Sequence, residues 1–197
     1  MEAYENIRQR LKTGDIVLFS GKGGISAGIK WFTQCKWSHV GMVLRLLEWD
    51  AVLLWESTTL SDIADVESGK ERKGVQLVPL SERIRKYNGA ASIRLLNIER
   101  TPDMLKELSV LRAEVKGRPY EKDKIELFKS AYEGPLGANA EDLSSLFCSE
   151  MVAGAYQRMG LLSEKKPSNE YIPKDFSDAG ELELLTGRLS TEVVIGR

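Results

Sequence analysis

Histidine is almost missing from this chain. Of 197 residues only His39 carries an imidazole. Chemistry that needs a proton acceptor titrating near neutrality has a single histidine candidate, and a histidine-rich metal centre is excluded. Cysteine is nearly as scarce, with Cys35 and Cys148 alone, too few for a disulfide-stapled scaffold. No stretch approaches the ~18 consecutive apolar residues of a membrane span, so no integral membrane segment is expected. Neither sign of charge dominates: 28 Lys and Arg against 29 Asp and Glu leave a net charge of −1. The basic footprint of a nucleic-acid binder is missing. The opening residues MEAYENIRQRLKTGD contain no apolar signal-peptide core, and a cytoplasmic location is the expectation. With no repeat, low-complexity tract or linker in between, residues 1–197 are expected to form one domain.

What is present is an ordinary soluble composition, 42% hydrophobic and 29% charged. Residues 4–12 place Ile7 and Leu11 on one face of a short helix, and Thr13-Gly14-Asp15 reads as a turn. Ile16-Val17-Leu18-Phe19 is a buried strand. The glycine-rich SGKGGISAG that follows has neither P-loop spacing nor a dinucleotide fingerprint, since Ser26 stands where the last glycine should be. It reads as a loop or helix entry, with a short helix from Ile25 to Phe32. Strands are expected over 37–44, 51–57, 75–80 and 91–96, with an exposed charged loop at 65–74 and a helical turn at 81–87. Thr101-Pro102 opens a helix with a capping hydroxyl and a proline at its first position. Its apolar face is Leu105, Leu108, Leu111 and Val115, and Gly117 stops it. Ile125, Phe128 and Tyr132 mark another helix, 133–142 a loop, 168–177 an irregular stretch, and 192–195 a last strand or short edge. Strands in front and helices interspersed behind give an α+β fold with a mostly antiparallel sheet.

The stretch that organises the rest runs from Phe147 to Tyr156. Cys148, Val152, Ala155 and Met159 follow helical spacing and share one face. Gly160-Leu161 is a typical stop, and Ser144 and Ser145 offer N-cap hydroxyls. Cys148 is expected on the first turn, at the start of the buried stripe and where unpaired N–H groups point outward. Lowering a free thiol from about 8.5 to about 4 costs roughly 6 kcal/mol, whereas a helix N-terminus supplies only ~0.3–2 kcal/mol. A nucleophilic Cys148 therefore needs a cation beside it, and His39 is the candidate.

Glu48-Trp49-Asp50 looks like a chain reversal between two strands. Folding the hairpin about residues 48–49 lands His39 opposite residues near 57–58, next to Glu56. Such neighbours lie within side-chain reach in an antiparallel pair, although a one-residue slip would turn them to opposite faces.

Three landmarks thus occur in order: SHVGMV, WES and LFCSEMVAGAYQRMGLL. Together with TGDIVLFSG, ISAGIKWFTQCKWSHVGMV, GRPYEKD and NEYIPKDFS they cover nearly the whole chain. They resemble the circularly permuted branch of the NlpC/P60 superfamily of papain-like cysteine hydrolases, specifically its YiiX-like group. The resemblance implies a papain-like core in which the cysteine helix follows the histidine strands. It implies Cys148 as nucleophile, His39 as general base and Glu56 as the residue orienting His39, with no metal or organic cofactor. It also implies cleavage of an amide bond in a small peptide or N-acyl amino acid, or transfer of acyl groups from a lipid-like substrate by the same residues. Fold alone does not choose between these, and a binding module with a vestigial site is the alternative outside catalysis. Oligomeric state is not readable.

Other residues have plainer readings. Cys35 is a passive small residue, and a Cys35/His39 metal pair lacks further ligands at zinc-like spacing. Glu150 suits the dipole of the first helical turn. Tyr120 and the tryptophans Trp31, Trp37, Trp49 and Trp55 read as core or groove walls.

Overall fold

The computed structural model describes residues 1–22, 35–118 and 144–196. Among the described residues seven strands form one sheet: β1 (Glu2–Ala3), β2 (Ile16–Gly21), β3 (His39–Leu46), β4 (Ala51–Thr58), β5 (Gly74–Pro79), β6 (Gly89–Arg94) and β7 (Val193–Gly196). Their order is β1-β7-β6-β2-β3-β4-β5. Only the β1–β7 pairing is parallel; the others are antiparallel. The helices among the described residues are α1 (Tyr4–Arg8), α2 (Leu80–Lys86), α3 (Pro102–Val115) and α4 (Ser144–Arg158). The class is α+β with a mostly antiparallel sheet, as expected from the order of elements.

Alternation along the strands divides the interior into two cores. Val40, Met42 and Leu44 of β3 and Leu53 and Trp55 of β4 pack with Cys148, Val152, Ala155, Tyr156 and Met159 of α4. Val43, Val52 and Leu54 point the other way, onto Ile7 of α1 and Leu80 and Ile84 of α2. A period of two along each strand, with an apolar residue at nearly every step, produces a sheet buried on both faces.

The turn Thr13-Gly14-Asp15 ties this frame together. Thr13 Oγ1 accepts from the Arg45 backbone N–H at 2.9 Å. Gly14, at φ +92°, offers its carbonyl to the Tyr156 hydroxyl at 2.6 Å. Buried Asp15 accepts from the backbone N–H groups of Lys12 and Leu96 and from Arg100 Nη2.

The β3–β4 register runs from Met42 opposite Trp55 to Leu46 opposite Ala51. The reversal is a 3-10 turn at Leu47–Trp49 followed by Asp50 in the left-handed region at φ +47°, a conformation that aspartate tolerates. At the other helix ends, Thr101 caps α3 by accepting from Met104 N at 3.2 Å. The Leu161 N–H reaches back to the Tyr156 carbonyl past Gly160 at φ +69°, a Schellman stop.

The expected last strand or short edge at 192–195 is the last strand, β7, and it lies inside the sheet between β1 and β6. Three expectations need correction. Leu105 is exposed, and only Leu108 of the α3 stripe is fully buried. Trp49 stands 77% exposed at the hairpin tip, while Trp37 and Trp55 are core. Within the charged loop, Asp65 is buried and accepts from the backbone of Leu77 and Ser68. The expected helices at 25–32 and around Phe128, the loop at 133–142, Tyr120 and Trp31 lie outside the described residues. Among the described residues no helix is long and apolar enough to cross a membrane.

Candidate active site

His39 is the first residue of β3, paired with Phe19 of β2. Its approach is fixed by the preceding residues. Trp37 Nε1 donates to Glu192 Oε1 at 2.7 Å, and Lys36 pairs with the same carboxylate at 2.8 Å. Being at the end of its strand, the His39 ring can meet groups from both faces of the sheet. On the α2 face it lies 5.7 Å from the Phe19 ring, which in turn lies 4.7 Å from Tyr87. From the α4 face it meets Cys148, its hydrogen-bonding and charge partner.

The other side of the imidazole is taken by Glu56 of β4. Nε2 of His39 lies 2.7 Å from Oε2 of Glu56, so Nδ1 is the ring nitrogen that Glu56 leaves open. Glu56 has no exposed surface. Its second oxygen is also occupied: Oε1 accepts from Gln76 Nε2 at 3.0 Å and from Arg83 Nε at 2.8 Å. Arg83 Nη2 stands 2.8 Å from the same oxygen. Arg83 is itself fully buried, and its Nη1 donates to Asp62 Oδ1 at 2.7 Å. A chain of alternating polar groups thus runs from Cys148 through His39, Glu56 and Arg83 to Asp62 near the surface.

This chain sets the charges. Burial alone would strip the proton from His39. The charge and hydrogen bond of Cys148, followed by those of Glu56, outweigh burial and hold the ring's pKa up at about 10. Burial likewise pushes the Glu56 carboxyl up, but the Arg83 guanidinium, then His39 and Gln76, bring it below its ordinary value. Tyr87 is driven up to about 12, chiefly by burial. Its hydroxyl, bonded to Ser38, therefore keeps its proton at neutral pH.

Cys148 sits deeper in its helix than expected. Helix α4 is already formed at Ser144, so Ser144 and Ser145 are helical residues rather than caps. Cys148 is the fifth residue of the described helix, and a helical carbonyl stands four residues behind its N–H. That N–H is not among the free first-turn donors, and the dipole fades beyond the first turn. Glu150 falls deeper still and loses its dipole rationale for the same reason. Cys148 is fully buried in the shared stripe with Val152, Ala155 and Met159. Beside it, Ser149 Oγ donates to the Tyr171 carbonyl at 2.6 Å and binds the helix to the irregular segment 168–177. Cys35 is a buried free thiol 3.7 Å from Ser177 Oγ.

The structure thus brings together Cys148, His39 and Glu56, the three residues singled out from the sequence. Gln76, Arg83 and Tyr87 were not foreseen. Two signals point to them. Gln76 is directly opposite Glu56 in the β4–β5 register. Arg83 lies in α2, and Tyr87, four residues on, caps the end of that helix with its N–H on the Arg83 carbonyl at 2.9 Å. Among the described residues no group of three or more side chains is arranged to hold a metal ion.

Comparison with known proteins adds little beyond this geometry. No family model matches the chain, and no curated protein matches it. Among solved structures it is similar to the metalloprotein YiiX from Escherichia coli O157:H7, at 17% identity and a TM-score of 0.49, over 94% of this chain and 97% of that one.

Proposed function

We propose that this chain is a cysteine-dependent hydrolase with a papain-like, circularly permuted NlpC/P60 core, cleaving an amide bond in a small peptide or N-acyl amino acid. The observation that carries the proposal is the double engagement of His39, bonded to Glu56 through Nε2 at 2.7 Å and acted on by the neighbouring Cys148. A nucleophile, a base and an orienting carboxylate in hydrogen-bond sequence are what thiol acyl-transfer chemistry requires.

In the proposed cycle His39 takes the proton of the Cys148 thiol, leaving a thiolate beside an imidazolium. The sulfur attacks the amide carbonyl carbon and forms a tetrahedral oxyanion. As the C–N bond breaks, His39 returns its proton to the leaving amine and Cys148 is left as a thioester. His39 then deprotonates a water, whose oxygen attacks the thioester and releases the acid and the free thiol. Glu56 keeps Nε2 engaged throughout, so Nδ1 is the nitrogen left open to the sulfur at every step. The oxyanion needs a donor other than the Cys148 N–H, which belongs to the helical ladder.

The test is a panel of peptide amides, N-acyl amino acids and acyl thioesters, offered to the unaltered protein and to Cys148→Ala. Amide turnover lost in the variant, with a trapped acyl group located on Cys148 by mass, is the expected outcome. Turnover that survives in Cys148→Ala overturns the proposal. Activity confined to thioesters or lipid acyl donors would move the chain to the acyl-transfer class with the same residues.

A further inference from the structure

Resting on that reading, we infer that Arg83 is a positioning residue of the site: it acts on His39 and Cys148 through Glu56 and touches neither of them chemically. A carboxylate has two equivalent oxygens and can turn about its terminal bond. In Glu56 that freedom is removed. Arg83 Nε, at 2.8 Å, and Gln76 Nε2, at 3.0 Å, both donate to Oε1, and Arg83 Nη2 is a further 2.8 Å contact on the same atom. Oε2 is left as the oxygen that faces Nε2 of His39. The rotamer of the orienting residue is thereby set from behind.

Arg83 also has an electrostatic task. Glu56 and Arg83 have no exposed surface, and an ionised carboxylate in such a place is expensive unless a charge partner with good geometry accompanies it. A protonated Glu56 would be a donor on one oxygen and could not serve the imidazolium as an anion. The guanidinium keeps the carboxyl ionised: Nε donates to Oε1, and Nη2 stands in ion-pair contact with the same atom. Asp62 holds the far end of the guanidinium at 2.7 Å, so Arg83 cannot swing toward the catalytic side.

The test follows alkylation of Cys148 by iodoacetamide against pH, read on the Cys148 peptide by mass, with Cys35, which has no imidazole or carboxylate partner in the proposed site, as internal control. The variants are Arg83→Met and Arg83→Lys. Removing a positive charge makes the negative members of the site harder to ionise. In Arg83→Met the acid limb of the profile is therefore expected to move up by about one pH unit or more, with the plateau rate falling about tenfold. Arg83→Lys keeps the charge but loses the guanidinium: the limb is expected to stay in place while the plateau falls about threefold or more. A purely structural Arg83 would lower thermal stability and leave the limb where it was, and that result overturns the inference. If Arg83→Met does not fold, the lysine variant decides alone, and an unchanged plateau overturns it. Wild-type Cys148 that is inert near neutral pH sinks the hydrolase proposal and this one together. A reactive Cys148 whose profile ignores Arg83 sinks only this one.

Discussion

His39 and Glu56 meet at 2.7 Å, both out of contact with solvent or nearly so, across the β3–β4 hairpin. Glu56 is also the only carboxylate paired with His39 among the described residues and a counter-ion of the fully buried Arg83. The side chain therefore serves a site and a core at once. Glu56→Gln keeps its shape and removes its charge. It leaves the Arg83 guanidinium facing a neutral amide, so a loss of about 3–5 kcal/mol is expected, the usual cost of breaking a buried ion pair. The His39 pKa should fall in the same variant. Urea midpoints give the first quantity and a histidine titration the second. A variant as stable as the parent would mean that the Glu56–Arg83 contact contributes nothing.

The single imidazole makes that titration unusually clean, since labelled histidine yields one set of nuclear resonances. His39 is raised to about 10 against burial, with Cys148 the leading cause on the raising side. Cys148→Ala should therefore lower the midpoint. The linkage follows in sign. A raised pKa contributes stability that is fully present below the ordinary 6.5 and is lost as pH rises through about 10. Glu56, with its pKa lowered, contributes above its ordinary 4.5 and loses that contribution as pH falls through its depressed value. Together they favour the folded state most between 4.5 and 6.5. A His39 resonance titrating at 6.5 or below would show that neither neighbour acts on the ring as described.

Much of this site was legible before any coordinates, for a physical reason. Hairpin register is fixed by the turn and by which residues are apolar, so SHVGMV and WES placed His39 near Glu56 across a reversal at residues 48–50. The α4 stripe was legible because Cys148, Val152, Ala155 and Met159 keep a helical period. What escaped was any feature set by distant parts of the chain. Arg83 lies in the charged-looking stretch SERIRK, and nothing local says that its guanidinium is buried. The short β1 has only two residues, too few to show a pattern, so nothing local says that β7 lies inside the sheet. Helix α4 begins earlier than its apolar stripe because propensity and tertiary contacts, not hydrophobic period, set helix starts.

Gly41 in SHVGMV has a packing reason that a substitution can test. A Cβ placed there would come within 2.7 Å of Leu54 Cδ1 and 3.1 Å of the Trp55 carbonyl oxygen on β4. The leucine tip can yield, the carbonyl less so. Gly41→Ala is expected to cost about 1–3 kcal/mol through overpacking, read as a lower urea midpoint. Since β3 carries His39 two residues earlier, Cys148 alkylation should slow in parallel. Unaltered stability would mean that β3 and β4 can separate more easily than their close register implies.

The far end of α4 offers the complementary experiment. Tyr156 is fully buried, and its hydroxyl donates to the Gly14 carbonyl at 2.6 Å. Burial raises its pKa well above the usual phenol range, with nearby Asp15 adding to the rise, so the donor proton stays on through the accessible pH range. Tyr156→Phe preserves the ring and its edge contact with Phe176, centroids 6.2 Å apart, but strands the carbonyl of a buried turn. Leaving such an acceptor unsatisfied costs about 1–3 kcal/mol. Tyr156 lies eight residues beyond Cys148, roughly 12 Å along the helix at ~1.5 Å per residue. The loss should thus appear in the urea midpoint and leave the pH profile of Cys148 alkylation in place. If the profile shifts instead, the anchoring of α4 at Gly14 helps to set the position of the sulfur, and the two ends of the helix cannot be treated as independent.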